Sequence, residues 1–122
     1  MFANSLKVEE LDDGTKKLLE PLFYNARGLT LITVPAGFIT DYDSVPRLLG
    51  IYVMFKGLSV RSPVVHDYMY SMAKYPRKYA DKTFFEAMLS EGVTKWKAYV
   101  MFIAVRLFGK SKREKAYGVV NE

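Results

Sequence analysis

Cysteine is absent from all 122 residues, so disulfide staples, thiolate zinc sites, iron–sulfur clusters and cysteine nucleophiles are excluded. Histidine is almost as scarce. His66 stands alone, leaving one imidazole for any acid–base or ligating role. Long hydrophobic runs are also missing: the longest apolar stretch, WKAYVMFIAVRLFG at 96–109, is interrupted by Lys97 and Arg106 and falls short of the ~20 residues that cross a bilayer. The opening MFANSLKVEELDDG has no basic segment leading into an apolar one, so no secretory signal is expected and synthesis in the cytosol is the default reading. No internal repeat or low-complexity segment is visible.

What is present points to a folded domain. Half of the residues are hydrophobic and 15% are aromatic, far from the composition of disordered chains. A chain of this length buries roughly two thirds of its unfolded surface without staples. The net charge is +5, with much of the excess in GKSKREK at 109–115, which favours acidic partners in general without choosing among them.

Along the chain the hydrophobic period changes once. SLKVEEL alternates, Asp12-Asp13-Gly14 carries hairpin-turn chemistry, and TKKLLEPLFYN returns as the partner strand, with Pro21 marking an edge or a bulge. LTLITV at 29–34 predicts a short strand, followed by a long structured loop, PAGFITDYDSVP. From Arg61 the pattern is helical. Ser62 as N-cap with Pro63 in the first turn opens a helix over 63–74, which Pro76 stops; a second covers 78–90, with Phe84, Met88 and Phe85 facing inward, ending near Gly92. A third is expected over 93–108, with Trp96, Tyr99, Val100, Ile103 and Leu107 as its core-facing stripe and Gly109 as its C′ residue. Strands first and helices after predict an α+β domain over 1–109, an N-terminal β-hairpin or short antiparallel sheet followed by three packed α-helices, with a basic, loosely held tail over 110–122.

The polar residues concentrate around His66. Helical spacing stacks His66 and Tyr70 on one side and turns Asp67 about 100° away, so the two halves of the His-Asp pair need different partners. His66 has the chemistry of a general base, since an imidazole takes a proton on one nitrogen while a carboxylate holds the other. Asp67 and Asp41 are candidate ligands for a hard cation. Asp81 is the candidate to orient the imidazole, because a short turn at Pro76 makes the two helices antiparallel neighbours.

Three motifs in order, GFITDYDSVP, HDYMY and ADKTFF, resemble the pattern of the phage-encoded domain of unknown function 1353 family. In this chain it falls on Gly37, Phe38, Thr40, Asp41, Ser44, Val45 and Pro46, then His66, Asp67 and Tyr70, then Ala80, Asp81 and Phe84. The resemblance implies a bacteriophage or prophage origin, a place in or near the virion as a minor capsid, connector or tail component, other virion proteins as partners, and oligomeric assembly. A narrower stretch, RSPVVHDYMY with ADKTFFEAML, is similar to the paired helices of phospholipase A2 domains. That likeness implies a second function, a calcium-assisted phospholipase or esterase acting on membrane phospholipid or another ester: His66 activates water, Asp67 binds Ca2+, and Asp81 with Tyr70 holds His66. The glycine-rich calcium loop of that superfamily has no counterpart here.

Each of these residues also has a plain structural reading. His66 and its carboxylates form a polar cluster that needs no catalysis to persist. Asp81 can serve the helix dipole as a first-turn acid. Thr40 and Ser44 suit turn chemistry. The aromatic stripe of Trp96, Tyr99, Phe102 and Phe108 with the basic GKSKREK has the residue types of a nucleic-acid or anionic-membrane surface, but helical spacing favours core for the first and a solvated tail for the second. Nucleic acid is the least favoured partner.

Overall fold

The computed structural model describes residues 1–26, 30–40 and 61–119. Its strands are β1 (Val8–Glu10), β2 (Lys16–Leu18), β3 (Leu22–Ala26), β4 (Thr30–Val34) and β5 (Ile39–Thr40), and its helices are α1 (Arg61–Ser71), α2 (Arg77–Ser90) and α3 (Lys95–Tyr117). The architecture is α+β, as expected.

The β1–β2 hairpin closes where Asp13 and Gly14 predict it. The Asp13 carboxylate accepts from the Thr15 amide and hydroxyl, and Gly14 supplies the positive φ of 88°. The returning strand is not continuous to Asn25, however. It breaks over Leu19, Glu20 and Pro21, so that β2 pairs with β1 and β5 while β3 pairs with β4 in a second sheet. Along β3 and β4 the inward positions Leu22, Tyr24, Ile32 and Val34 are buried, the period-two pattern of a sheet with one covered face.

Among the described residues two apolar clusters form the core. Leu18, Leu22, Tyr24, Ile32 and Val34 of the sheets meet Val64, Val65, Met69 and Tyr70 of α1 and Ala80 and Ala87 of α2. Phe84 and Met88 of α2 meet Ala98, Met101 and Val105 of α3. The inward placing of Phe84 and Met88 matches the sequence reading, with Phe85 packed at the margin. Gly92 ends α2 in a Schellman arrangement: the Val93 amide donates to the Met88 carbonyl and the Gly92 amide to Leu89, with Gly92 at φ 92°.

Three expectations about the helices need correction. Helix α1 begins at Arg61, so Ser62 and Pro63 lie in its first turn rather than at its cap, and it ends at Ser71 rather than 74. Helix α3 does not stop at Gly109. It continues through residues 110–117, where a loose tail was expected, and closes at Gly118, whose φ is 68°. The inward face of α3 is not the bulky stripe. Ala98, Met101, Val105 and Gly109 are buried, whereas Trp96, Tyr99, Val100, Ile103, Leu107 and Phe108 are exposed. Gly109 shows the reason: a Cβ there would lie 3.2 Å from two ring carbons of Tyr70 and collide with its hydroxyl. The approach to α1 at this point leaves no room for a side chain, and Ala98, Met101 and Val105 pack on α2, so the face carrying the bulky stripe is the outward one.

Candidate functional site

Helix α1, which carries His66, is held at both ends by side chains from elsewhere. At its N-terminus Glu91, just past α2, accepts from the Ser62 amide at 3.0 Å, the Ser62 hydroxyl at 2.5 Å and Arg61 Nε at 2.6 Å. At its C-terminus Arg113 of α3, 1% exposed, donates Nε to the Tyr70 carbonyl at 3.0 Å and Nη2 to those of Met72 at 2.8 Å and Tyr75 at 2.7 Å. A carboxylate at the amide end and a guanidinium at the carbonyl end satisfy orphan backbone groups and oppose the helix dipole at each end.

Between these clamps sits a polar hub. His66 Nε2 donates to Asp81 Oδ1 at 2.8 Å, and the Tyr70 hydroxyl donates to the same oxygen at 2.5 Å. Arg106 Nη1 donates to Asp81 Oδ2 at 2.9 Å, and Arg77 Nη1 approaches it at 3.4 Å. The four lone-pair positions of the carboxylate are thereby used. His66 stacks on Phe84 at 4.6 Å and tilts against Tyr70 at 4.2 Å, so the hub lies on the seam between the two apolar clusters.

The ionisation of Asp81 follows from this crowding. Burial acts to raise its pKa, but hydrogen bonds and charge from His66, with further bonds from Tyr70 and Arg106, outweigh it and hold the carboxyl below its ordinary value. Burial, and then the neighbouring Asp81 charge, push the Tyr70 phenol well above its ordinary range. Asp81 is an anion that fixes the proton of His66 on Nε2, while Tyr70 stays a neutral donor.

The structure thus brings together His66, Tyr70 and Asp81, as helix register and the Pro76 turn predict. Asp81 lies in the second turn of α2, fully buried, so the reading of a first-turn acid serving the dipole does not apply. Asp67 is outside the hub. Its carboxylate accepts from Thr40 Oγ1 of β5 at 2.7 Å and from the Tyr117 hydroxyl of α3, tying α1 to the sheet and to the last turn of the chain's long helix. Thr40 is accordingly a buried strand residue rather than a turn residue. Asp41 and Ser44, and the loop expected to fold over α1, lie outside the described residues. Among the described residues no group of three or more His, Cys, Asp or Glu side chains is placed to hold a metal ion.

Sequence reasoning missed Arg77, Glu91, Arg106, Gly109 and Arg113. Arg77 stands four residues before Asp81 on one helix, a spacing that advertises an ion pair. Nothing local distinguishes Arg106 or Arg113 from their basic neighbours, and Gly109 carries the signature of a helix stop.

A small α+β domain organised around a buried His-Asp pair, with the carboxylate fully bonded, is the class that fold and site define. The chain belongs to the family described as protein of unknown function (DUF1353), whose model matches residues 16–105. The matched span includes His66, Asp67, Tyr70 and Asp81 and stops just before Arg106. No curated protein and no solved structure matches the chain. Among the described residues no helix is long and apolar enough to cross a membrane.

Proposed function

We propose that this protein is a non-catalytic component of a phage particle or an accessory to its assembly, in which the His66–Asp81 pair is an architectural hub. One observation carries the non-catalytic reading: His66 is 2% exposed and Asp81 fully buried, with every acceptor position of Asp81 used by the protein itself. A general base must reach its substrate's proton directly or through one water, and a ring sandwiched by Phe84 and Tyr70 offers an ester no place to sit. The particle assignment rests on the phage-family resemblance, and other virion proteins are the partners it entails.

A calcium-assisted esterase is the second reading, and one feature favours it. A histidine whose Nε2 proton is fixed by a buried aspartate, itself braced by a tyrosine, is the arrangement that prepares Nδ1 to take a proton. Against it, Asp67 is engaged by Thr40 and Tyr117, and among the described residues no cluster of acidic side chains is placed to hold a cation.

The deciding experiment pairs His66→Gln with the parent chain in a thermal melt and in hydrolysis of mixed phospholipid vesicles, with calcium or with chelator. The hub reading expects a destabilised variant, a parent inactive in both conditions, and the parent protein at fixed stoichiometry in purified particles. A parent whose calcium-dependent hydrolysis disappears in a stably folded variant would replace it with the esterase.

A further inference from the structure

The outward face of α3 has no role in the hub. Trp96, Val100, Ile103 and Leu107 recur at i, i+4, i+7 and i+11 and form one stripe about 17 Å long on the side of the helix opposite Ala98, Met101 and Val105. Tyr99 and Phe108 widen it on either side. Trp96, Tyr99, Leu107 and Phe108 are each more than half exposed, at 59, 56, 70 and 60%. Beside the stripe a groove of about 410 Å³ between α2 and α3, lined by Phe85, Leu89, Tyr99 and Phe102, continues the apolar surface, with Lys82, Lys95 and Glu86 at its rim.

Charge identifies what this face meets. Helix α3 has seven basic residues and a single acidic one, Glu114; Arg106 and Arg113 are turned to Asp81 and to the end of α1, and lysines remain for the outside. Lys95, Lys97 and Lys110 border the stripe, and the Lys97 ammonium stands 5.8 Å from the centre of the Trp96 ring. A second copy would set like charges against each other. Nucleic acid would be served by the lysines and the flat rings but has no use for a ridge of Val100, Ile103 and Leu107. Helices lying on bilayers combine Trp and Leu on the buried side with lysines that rise to the headgroups, the arrangement of Trp96 and Leu107 with Lys95, Lys97 and Lys110. We infer that the outer face of α3 is a membrane-surface site that lays its aromatic and aliphatic stripe into the interface of an anionic bilayer. The inference is independent of the proposed function: it needs neither hydrolysis nor a particle.

Trp96 is the chain's only tryptophan and lies on the stripe, so its fluorescence reports the site in the unmodified protein. The probes are vesicles of phosphatidylcholine alone and of phosphatidylcholine with phosphatidylglycerol. Trp96 emission should be solvent-like in buffer and shift to the blue with the anionic vesicles, at a lipid concentration at least tenfold below that needed with the zwitterionic ones. Raising salt to ~0.5 M should weaken the effect, because headgroup attraction is screened. The Ile103→Glu, Leu107→Glu double variant, changed only at exposed positions, should keep the parent melt and lose at least tenfold in binding. Any of five results would overturn the inference: no shift with either vesicle; equal shifts with both; blue, quencher-protected emission in buffer, showing that the chain covers its own stripe; concentration-dependent dimerisation abolished by the double variant; or an oligonucleotide-induced shift, likewise abolished, without a vesicle-induced one.

Discussion

Helices α1 and α3 invert the usual relation between polarity and burial. In α1 a histidine and a serine are sealed inside, together with the aspartate they face from α2 and the glutamate at its end, while in α3 tryptophan, leucine and phenylalanine stand in solvent. The difference follows from what each helix must touch. α1 sits between both sheets and the other two helices, so its polar groups are unavoidable neighbours of the core and survive only because each has a partner. α3 approaches α1 at Gly109 so closely that no side chain fits there, and it packs on α2 through Ala98, Met101 and Val105, which leaves Trp96, Leu107 and Phe108 on the far side.

Asp81→Ala should show the contrast at its largest. It removes the carboxylate that Arg77 and Arg106 bond beside an apolar seam and leaves His66 and Tyr70 without this acceptor, a loss expected to be about 3–5 kcal/mol in denaturant unfolding. An intact midpoint would mean that the hub does not hold the helices together. Arg113→Ala removes a buried cation shared by the carbonyls that end α1, and about 2–3 kcal/mol should be lost by the same measurement. Arg113→Lys should recover little of it, because an ammonium cannot span carbonyls that the planar fork reaches together.

Gly109→Ala adds a methyl group against Tyr70 and should cost about 1–3 kcal/mol through overpacking. The sharper test combines it with Tyr70→Phe. If the hydroxyl is what collides, the double variant should be clearly less destabilised than the sum of the two single ones.

Acid should weaken the hub without any substitution. Because the folded state lowers the Asp81 pKa, the native protein binds fewer protons than the unfolded chain, so this contribution is complete above the ordinary carboxylate value near ~4 and is lost as pH falls through the lower folded value. Tyr70 acts in the opposite sense: its raised pKa contributes stability below ~10 that is lost as pH rises beyond it. A melt series across pH should fall at both ends, and Asp81→Asn should flatten the acid limb. Leu107→Glu marks the small end of the comparison, with a change within about 0.5 kcal/mol, since its side chain leaves one aqueous setting for another.

Much of this was legible from local chemistry. Asp13 and Gly14 specified the first turn, Gly92 ended α2, and the spacing of His66, Tyr70 and Asp81 across a short Pro76 connection placed three polar groups on facing sides of two helices. These features depend on residues a few positions apart, and helix and turn geometry fixes such distances in advance. The orientation of α3 was not legible, because a helix apolar on both sides offers two faces of similar hydrophobicity and periodicity cannot choose between them. Gly109 misled for a related reason: without a neighbour in view, a glycine after a long helix reads as a stop, and only the Tyr70 ring shows it to be a point of close approach.

The sequence by itself determined that the chain is a cysteine-free α+β domain with one imidazole, a strand-rich start and, from Arg61 on, three helices, because composition and periodicity are properties of the chain alone. Only the tertiary structure decided that Arg106 and Arg113 belong to the core, that Asp67 serves Thr40 and Tyr117, and that the largest apolar side chains of α3 face outward. Those outcomes depend on which surfaces meet across 25 to 50 residues of intervening chain. There, steric fit and the need of every buried charge for a partner outweigh local preference.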